Sequence, residues 1–379
     1  MYKKRTWKEI LTIISGKSQK DIETINGKYP IYGSGGIIGY ANEYLCPANS
    51  VIVGRKGTIN RPIYVTEPFW NIDTAFGVVA GVDLVPKFLY FFCLAYNFKR
   101  LDKSTGRPSV SKSDLLKIEM PVPSIDEQQH IVSRIEELFS KLDKGVESLQ
   151  TIKQQLAVYR QAVLKEAFEE NERWTICSLG EVINILTDYH SNGSYESLKA
   201  NVRLLDEPDY AIMIRSTNFE KQDFSKDLKY IDKHSYEFLK KSKLFGGEVL
   251  MGKIGNAGRV YYMKDLGVPM SLAMNMFAIQ FVSTIDSKFA YYYLLSPDAK
   301  QDIRKYIKGV GTLTIDKKSV RRLKFRYPSI VEQKKIVEEI ESRLSVCDSI
   351  EQTVDTALAQ AEAMRQSILK KAFEGGFSE

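Results

Sequence analysis

One stretch of this chain occurs twice. Shifted by 205 positions, residues 123–170 and 328–375 align without a gap, and 20 of the 48 pairs are identical. Both copies open Pro-Ser-Ile-x-Glu, at Pro123–Glu127 and Pro328–Glu332. Ser124 with Glu127, and Ser329 with Glu332, read as capping boxes: the hydroxyl satisfies a free amide and the glutamate reaches back. The upstream proline keeps the residue before it extended, which favours a clean start. Apolar residues then recur at spacings of three and four: Ile131, Ile135, Leu138, Leu142, Leu149, Ile152, Leu156, Tyr159 and Val163, with Gly145 filling one seam position. The second copy follows with Ile336, Ile340, Cys347, Ile350, Val354, Ala357, Ala361, Met364 and Ile368, and Gly375-Gly376 reads as its stop. This is a heptad seam on each of two long helices, each roughly 65 Å long at 1.5 Å per residue. A lone seam must be buried somewhere, and the simplest partner is the other copy. A two-fold relation between the copies makes the pair antiparallel.

The identities gather at the ends. Residues 123–136 match at 9 of 14 positions and 160–169 at 7 of 10, but 137–159 at only 4 of 23. In an antiparallel pair the start of one helix lies beside the end of the other, so the similar ends form two equivalent surfaces. Such surfaces suit two copies of one partner protein, or they pack beneath the globular domains. The candidate partner-binding residues are Gln128, Ile131, Arg160, Gln161 and Phe168, with Gln333, Ile336, Arg365, Gln366 and Phe373.

Charge repeats the same plan. Residues 1–119 hold 17 Lys+Arg and 10 Asp+Glu (+7), 120–170 hold 6 and 9 (−3), 171–324 hold 24 and 18 (+6), and 325–379 hold 7 and 10 (−3). Two basic domains, 1–122 and 171–327, therefore alternate with two acidic helical segments, 123–170 and 328–379. The expected fold is α+β: two globular domains joined by two long antiparallel coiled-coil helices, a pseudo-two-fold internal repeat.

The globular halves share an outline, not a sequence. VIVGRKGTINRPIYV (51–65) is echoed by VLMGKIGNAGRVYYM (249–263), and PKFLYFFCL (86–94) by SKFAYYYLL (287–295). Gly247, Gly252 and Lys253 have the spacing of a phosphate-gripping loop, but Ile254 stands where Ser or Thr should hold magnesium. Its counterpart, Gly54-Arg55-Lys56-Gly57, lacks that spacing. Both follow an apolar strand and continue as strand, so both read as glycine turns that carry cations. Arg55, Lys56, Arg61, Lys253, Asn256 and Arg259 are candidate nucleic-acid contacts there, beside the alternative of an ordinary hairpin with solvated charges. Two further stretches read either as contact loops or as plain turn chemistry: Tyr29–Gly36, with Tyr32 and Ser34, and Arg215–Asn218, where Arg suits guanine and Asn suits adenine. Arg107 and Lys308, in the loops before the short strands that lead into the long helices, suit phosphates.

The four cysteines are scattered, the three histidines stand apart from them, and no apolar run reaches about 18 residues. A zinc site, a disulfide framework and a membrane span are not expected, and a reducing cytoplasm is. No base-methylation motif, nuclease triad or nucleophile–base pairing is evident. No cofactor is expected, and the chain is not expected to be an enzyme.

Two dissimilar domains, each followed by a helix opening Pro-Ser-Ile-x-Glu-Gln-x-x-Ile-Val and ending Leu-Lys-x-Ala-Phe (Leu164–Phe168, Leu369–Phe373), resemble the specificity subunit of Type I restriction–modification systems. The run Tyr32-Gly33-Ser34-Gly35-Gly36, then Gly54–Gly57, then Trp70 and Asp73-Thr74, is similar to a target recognition domain of that family. The resemblance implies that each domain reads one half of a split, asymmetric sequence in double-stranded DNA. It implies that the helices set the spacer and recruit two methyltransferase subunits, and through them restriction subunits. The rival readings are a stand-alone DNA-binding or regulatory protein, a nuclease or methyltransferase with unfamiliar motifs, and a nucleotide-binding protein using Gly247–Lys253.

Overall fold

The computed structural model describes residues 2–374 and 377. The helix stop expected at Gly375-Gly376 lies outside them. The chain divides into two units, 1–152 with 353–379 and 153–352. Each long helix is thus shared between units, and each unit holds the start of one helix and the end of the other.

In unit 1 a four-stranded antiparallel sheet runs in the order Leu11–Ser15, Ala75–Ala80, Ser50–Gly54, Ile63–Val65. Ser50–Gly54 is buried at every position, which is why it reads as an unbroken apolar run. The helix Pro86–Ala95 covers the sheet, with proline in its first turn and an aromatic face turned inward. A second sheet places Tyr29–Gly33 parallel to Trp70–Asn71 and antiparallel to Gly36–Ala41. Tyr29–Gly36, expected as a contact loop, is therefore a strand and the tip of a hairpin, with only Ser34 and Gly35 between strands.

Unit 2 repeats this plan with insertions. Its four-stranded sheet runs Ile183–Asp188, Met276–Phe281, Val249–Gly252, Val260–Tyr262, and the helix Ser287–Leu295 covers it. A five-stranded sheet contains the parallel pair Ala211–Ile214 and Met270–Leu272. Val249–Gly252 and Val260–Tyr262 are hairpin strands, so Gly247–Lys253 leads into a sheet. A phosphate-gripping loop opens a helix instead.

The long helices span Ile125–Ala167 and Ile330–Phe373. Ser124 Oγ accepts from the Glu127 amide at 3.3 Å and Ser329 Oγ from the Glu332 amide at 3.4 Å. Glu127 turns away from the cap and accepts from the Tyr2 hydroxyl at 2.6 Å, so only the hydroxyl half of that box forms. Within unit 1, Ile131, Val132 and Ile135 of the first helix share a core with Leu369 and Ala372 of the second, and Phe139 lies under Arg365. Numbers that rise along one helix meet numbers that fall along the other, so the pair is antiparallel. Unit 2 shows the same sense: Val163, Leu164 and Phe168 share a core with Val337 and Ile340, and Arg160 reaches Asp348.

These contacts explain why identity concentrates at the helix ends. Phe168 packs edge-on against Trp174, Phe289 and Tyr293. Its counterpart Phe373 packs against Phe88 and Phe92. Gln128 Oε1 accepts from the Val85 amide at 2.8 Å, while its Nε2 donates to the carbonyls of Asp83 (2.8 Å) and Pro123 (3.0 Å). Gln333 does the same with Asp286 (2.8 Å), Thr284 (3.0 Å) and Pro328 (2.9 Å). Both glutamines are fully buried.

This corrects four of the partner-binding candidates. Gln128 and Gln333 have their amides engaged internally, and Ile131 and Phe168 have their side chains in the core, so none of these faces outward. Ile336 and Phe373 are half-buried against the same cores. Gln161 and Gln366 stay exposed, and Arg160 and Arg365 are partly so.

Candidate nucleic-acid interface

Four segments meet at one end of the unit 1 sheet. The Arg55 amide donates to Thr74 O at 2.8 Å, the Gly57 amide to Pro108 O at 2.8 Å, and the Val110 amide to Arg55 O at 2.9 Å. The Ser34 hydroxyl donates to Lys56 O at 2.8 Å and ties in the Ser34-Gly35 tip. The turn needs its glycines. A Cβ on Gly54 would stand 2.1 Å from Thr58 O, and Gly57 sits at φ +84 with the Arg107 guanidinium closing over it.

Unit 2 repeats the lacing at matched positions. The Lys253 amide donates to Asn275 O at 2.8 Å, the Gly255 amide to Leu313 O at 2.8 Å, and the Ile315 amide to Lys253 O at 3.0 Å. Gly252 is pinned as Gly54 is, with Asn256 O 2.0 Å from where its Cβ would be. One further match was invisible in the sequence. The Ile72 amide donates to Tyr32 O and the Ala273 amide to Ile214 O, both at 2.9 Å, each just beyond the parallel strand pair. Gly33-Ser34 and Arg215-Ser216 therefore occupy the same place in the fold, although the two stretches share no recognisable pattern.

The side chains differ sharply between units. In unit 1 Lys56, Arg61 and Arg107 are exposed, and among the described residues none has an ion-pair partner. Arg55 lies over the Phe76 ring and donates to the Asp73 carbonyl at 3.2 Å. Tyr32 stands half-buried, edge-on to Phe69. In unit 2 Lys253 Nζ is 2.6 Å from Asp188, which also takes Lys317 at 2.9 Å. Burial pushes the Asp188 carboxyl up, but the bonds from Lys253, Ser191 and Lys317 outweigh it and hold it well below the ordinary carboxylate range. Glu220 accepts from the Asn256 amide group and lies 3.6 Å from Arg259. Lys308 lies 3.8 Å from Asp316.

Two candidate base readers are corrected here. Ser34 is buried and its hydroxyl is engaged by Lys56 O. Asn218 is buried and caps its own short helix, accepting from the Arg215 amide at 2.9 Å. Arg215 remains partly exposed, donating to the Asp227 carbonyl, with its Nε–H buried and unpartnered. The residues that sequence reasoning missed are Asp188 and Glu220. Asp188 lies 65 residues from Lys253 and 129 from Lys317, and no local pattern links them.

Among the described residues no group of three or more His, Cys, Asp or Glu side chains could hold a metal, and no helix is long and apolar enough to cross a membrane.

The family model for the Type I restriction modification DNA specificity domain matches residues 1–157 and 171–360. The chain belongs to that family. It is 25% identical over 385 residues to the Type I restriction enzyme EcoBI specificity subunit of Escherichia coli, covering 93% of this chain and 78% of that one. It is 24% identical over 317 residues to the MjaVIII specificity subunit of Methanocaldococcus jannaschii, covering 78% and 69%. Among solved structures, a chain from work on complex assembly and conformational transition of the type I R-M system superposes with a TM-score of 0.76 at 15% identity, covering 98% of this chain and 97% of that one. The HsdS subunit of Thermoanaerobacter tengcongensis gives 0.54 at 16% identity, covering 99% and 97%. At these identities the two structures speak to the fold, and they share it with this family member.

Proposed function

We propose that this family member is the DNA-specificity subunit of a Type I restriction–modification system, a non-catalytic component that works in the cytoplasm. The observation that carries the reading is the laced tip, built twice on the same backbone bonds but dressed with different side chains. A repeated backbone with unlike surfaces suits two unlike half-sites, so the target is a split, asymmetric sequence. The tip offers cations to phosphates, and in this reading Arg215, Asn256 and Tyr32 are the groups that meet base edges in a groove.

The paired helices hold the spacer between the half-sites. The partner surfaces for two methyltransferase subunits reduce to Arg160 with Gln161 and Arg365 with Gln366. Their surroundings match. Arg160 pairs with Asp348 at 2.7 Å and Arg365 pairs with Asp143, while Lys288–Glu341 and Lys87–Glu136 repeat alongside. A restriction subunit joins through the methyltransferases, and ATP chemistry belongs to it and not to Gly247–Lys253.

The test is co-expression with a neighbouring methyltransferase gene, followed by native mass measurement and adenine-methylation mapping. Two methyltransferases per chain marking a split asymmetric motif supports the reading. A lone chain in unmethylated DNA refutes it in favour of a stand-alone DNA-binding protein.

A further inference from the structure

We propose that the two readers are electrostatically unequal: unit 1 anchors on phosphates with free cations, unit 2 carries compensated ones, and Asp188 and Glu220 create the difference. The inference rests on the DNA-reading role proposed above and assigns each unit its own part in it.

Composition does not produce the inequality, since the two domains carry +7 over residues 1–119 and +6 over 171–324. Placement does. In the core sheets Ser15 pairs with Phe76 where Asp188 pairs with Phe277, so serine and aspartate occupy matched positions beneath the two tips. Lys317 has its match in Lys112, one residue beyond each helix N-cap. In unit 2 the aspartate collects both Lys253 and Lys317. In unit 1, with serine there, Lys112 donates to the Ile13 carbonyl at 2.7 Å and Arg55 to the Asp73 carbonyl at 3.2 Å. Neither forms an ion pair among the described residues. Glu220 repeats the effect at the rim of unit 2 by engaging Asn256 and Arg259. Around the unit 1 tip, Lys56, Arg61 and Arg107 have no carboxylate partner among the described residues.

A cation already held by a carboxylate gains little from a phosphate, because one ion pair replaces another. A free cation releases counterions from DNA, and each phosphate it neutralises adds about 0.9 to the slope of log affinity against log salt. Arg55, Lys56, Arg61 and Arg107 together account for about 3.6 of that slope, and the matched groups of unit 2 for little. Unit 1 is then the reader that meets DNA first, drawn by long-range attraction. Unit 2 is left to act through short-range hydrogen bonds that depend weakly on salt.

The test measures binding of the full chain, with its methyltransferase subunits, to a duplex of unrelated sequence and to its mapped target across 50–200 mM salt. The triple variant K56Q/R61Q/R107Q changes only exposed side chains. It is expected to flatten the slope by about 2.7, which is about a 40-fold difference in relative affinity across that fourfold salt range. Glu220→Gln is expected to steepen the slope by about 0.9 through Arg259, and Asp188→Asn by up to about 1.8 through Lys253 and Lys317. Because Asp188 is buried, its variant is also checked by thermal melting, and Glu220→Gln decides the matter should Asp188→Asn fail to fold. An unchanged slope in the triple variant, or a Glu220→Gln slope equal to or flatter than that of the parent, overturns the inference. If the parent complex binds neither duplex at any salt, the DNA-reading role itself fails instead.

Discussion

Replacing Gln333 by Ala separates two roles for the residue that opens the repeated helix. If it faces a partner, the variant folds normally and loses assembly. The structure instead gives its amide three bonds inside unit 2, to the Asp286 amide and to the carbonyls of Thr284 and Pro328. A neutral hydrogen bond contributes about 1 kcal/mol net, and a buried group left unpaired costs about 1–3 kcal/mol. Thr284 is exposed, so water can reach its carbonyl, while the Asp286 amide and the Pro328 carbonyl lose their cover. The expected destabilisation is about 2–4 kcal/mol, read by urea unfolding. Hydrogen exchange gives the sharper signature: the Asp286 amide should lose protection far more than amides elsewhere in the sheet. Gln333→Glu keeps the shape but turns a carboxylate toward two carbonyls, so its folded pKa is raised. A raised carboxyl contributes stability below its unfolded pKa and loses it as pH rises through the folded one, so the deficit of this variant relative to the parent should be smallest in acid. Wild-type unfolding and unchanged Asp286 protection in Gln333→Ala would refute the reasoning and restore the outward-facing role. Gln128→Ala should reproduce the effect at Val85 in unit 1.

The remaining expectations follow from the same contacts. Phe168→Ala removes a fully buried ring from an aromatic cluster and should cost unit 2 about 3–5 kcal/mol by denaturant unfolding. Asp188 carries a depressed pKa, so it contributes stability above the ordinary carboxylate range that is lost as pH falls below it; Asp188→Asn should flatten the acid limb of a stability–pH curve there. Deleting one matched heptad from both helices shortens each by about 10.5 Å, which should shorten the spacer of the methylated motif by about three base pairs. An unchanged spacer refutes the ruler. Lys253→Ala should leave the chain without any measurable change in ATP affinity by calorimetry, because its ammonium is committed to Asp188.

The frame was legible in the sequence because its determinants are local or periodic. The serine caps, the heptad seams and the aromatic helices each announce themselves within a few residues, and the offset of 205 ties the copies together. The tip hairpins were legible too, since an apolar strand on either side of a glycine turn allows little else. What escaped was whatever depends on contacts across the chain. Gln128 and Gln333 look like polar residues on a helix surface until the loop leading into the sheet-covering helix of the same unit, 83–85 or 284–286, closes over them. Ser34 and Asn218 look like base readers until their backbone partners appear. The equivalence of Gly33-Ser34 with Arg215-Ser216 rests on a strand pairing that no residue pattern records.

The repeat then divides the chain by the kind of constraint each part obeys. From Gln128 to Phe168 is 40 residues, and from Gln333 to Phe373 is also 40. In each helix the glutamine fastens the start beneath one unit and the phenylalanine closes the core of the other. An insertion in one helix alone would shift one seam against its partner, whereas a matched change in both leaves the glutamine and phenylalanine contacts within each unit in place. The frame therefore tolerates only paired changes in length, which is what a spacer ruler needs. The tips answer to a different rule. Their shape is held by backbone bonds and glycines, with Ser34 in one unit and Asn218 in the other fixing the neighbouring turn, so the outward side chains are free to change without disturbing it. Beneath the tips, the matched sheet positions Ser15 and Asp188 then set different electrostatics on the same scaffold, which is why two readers built alike need not read alike.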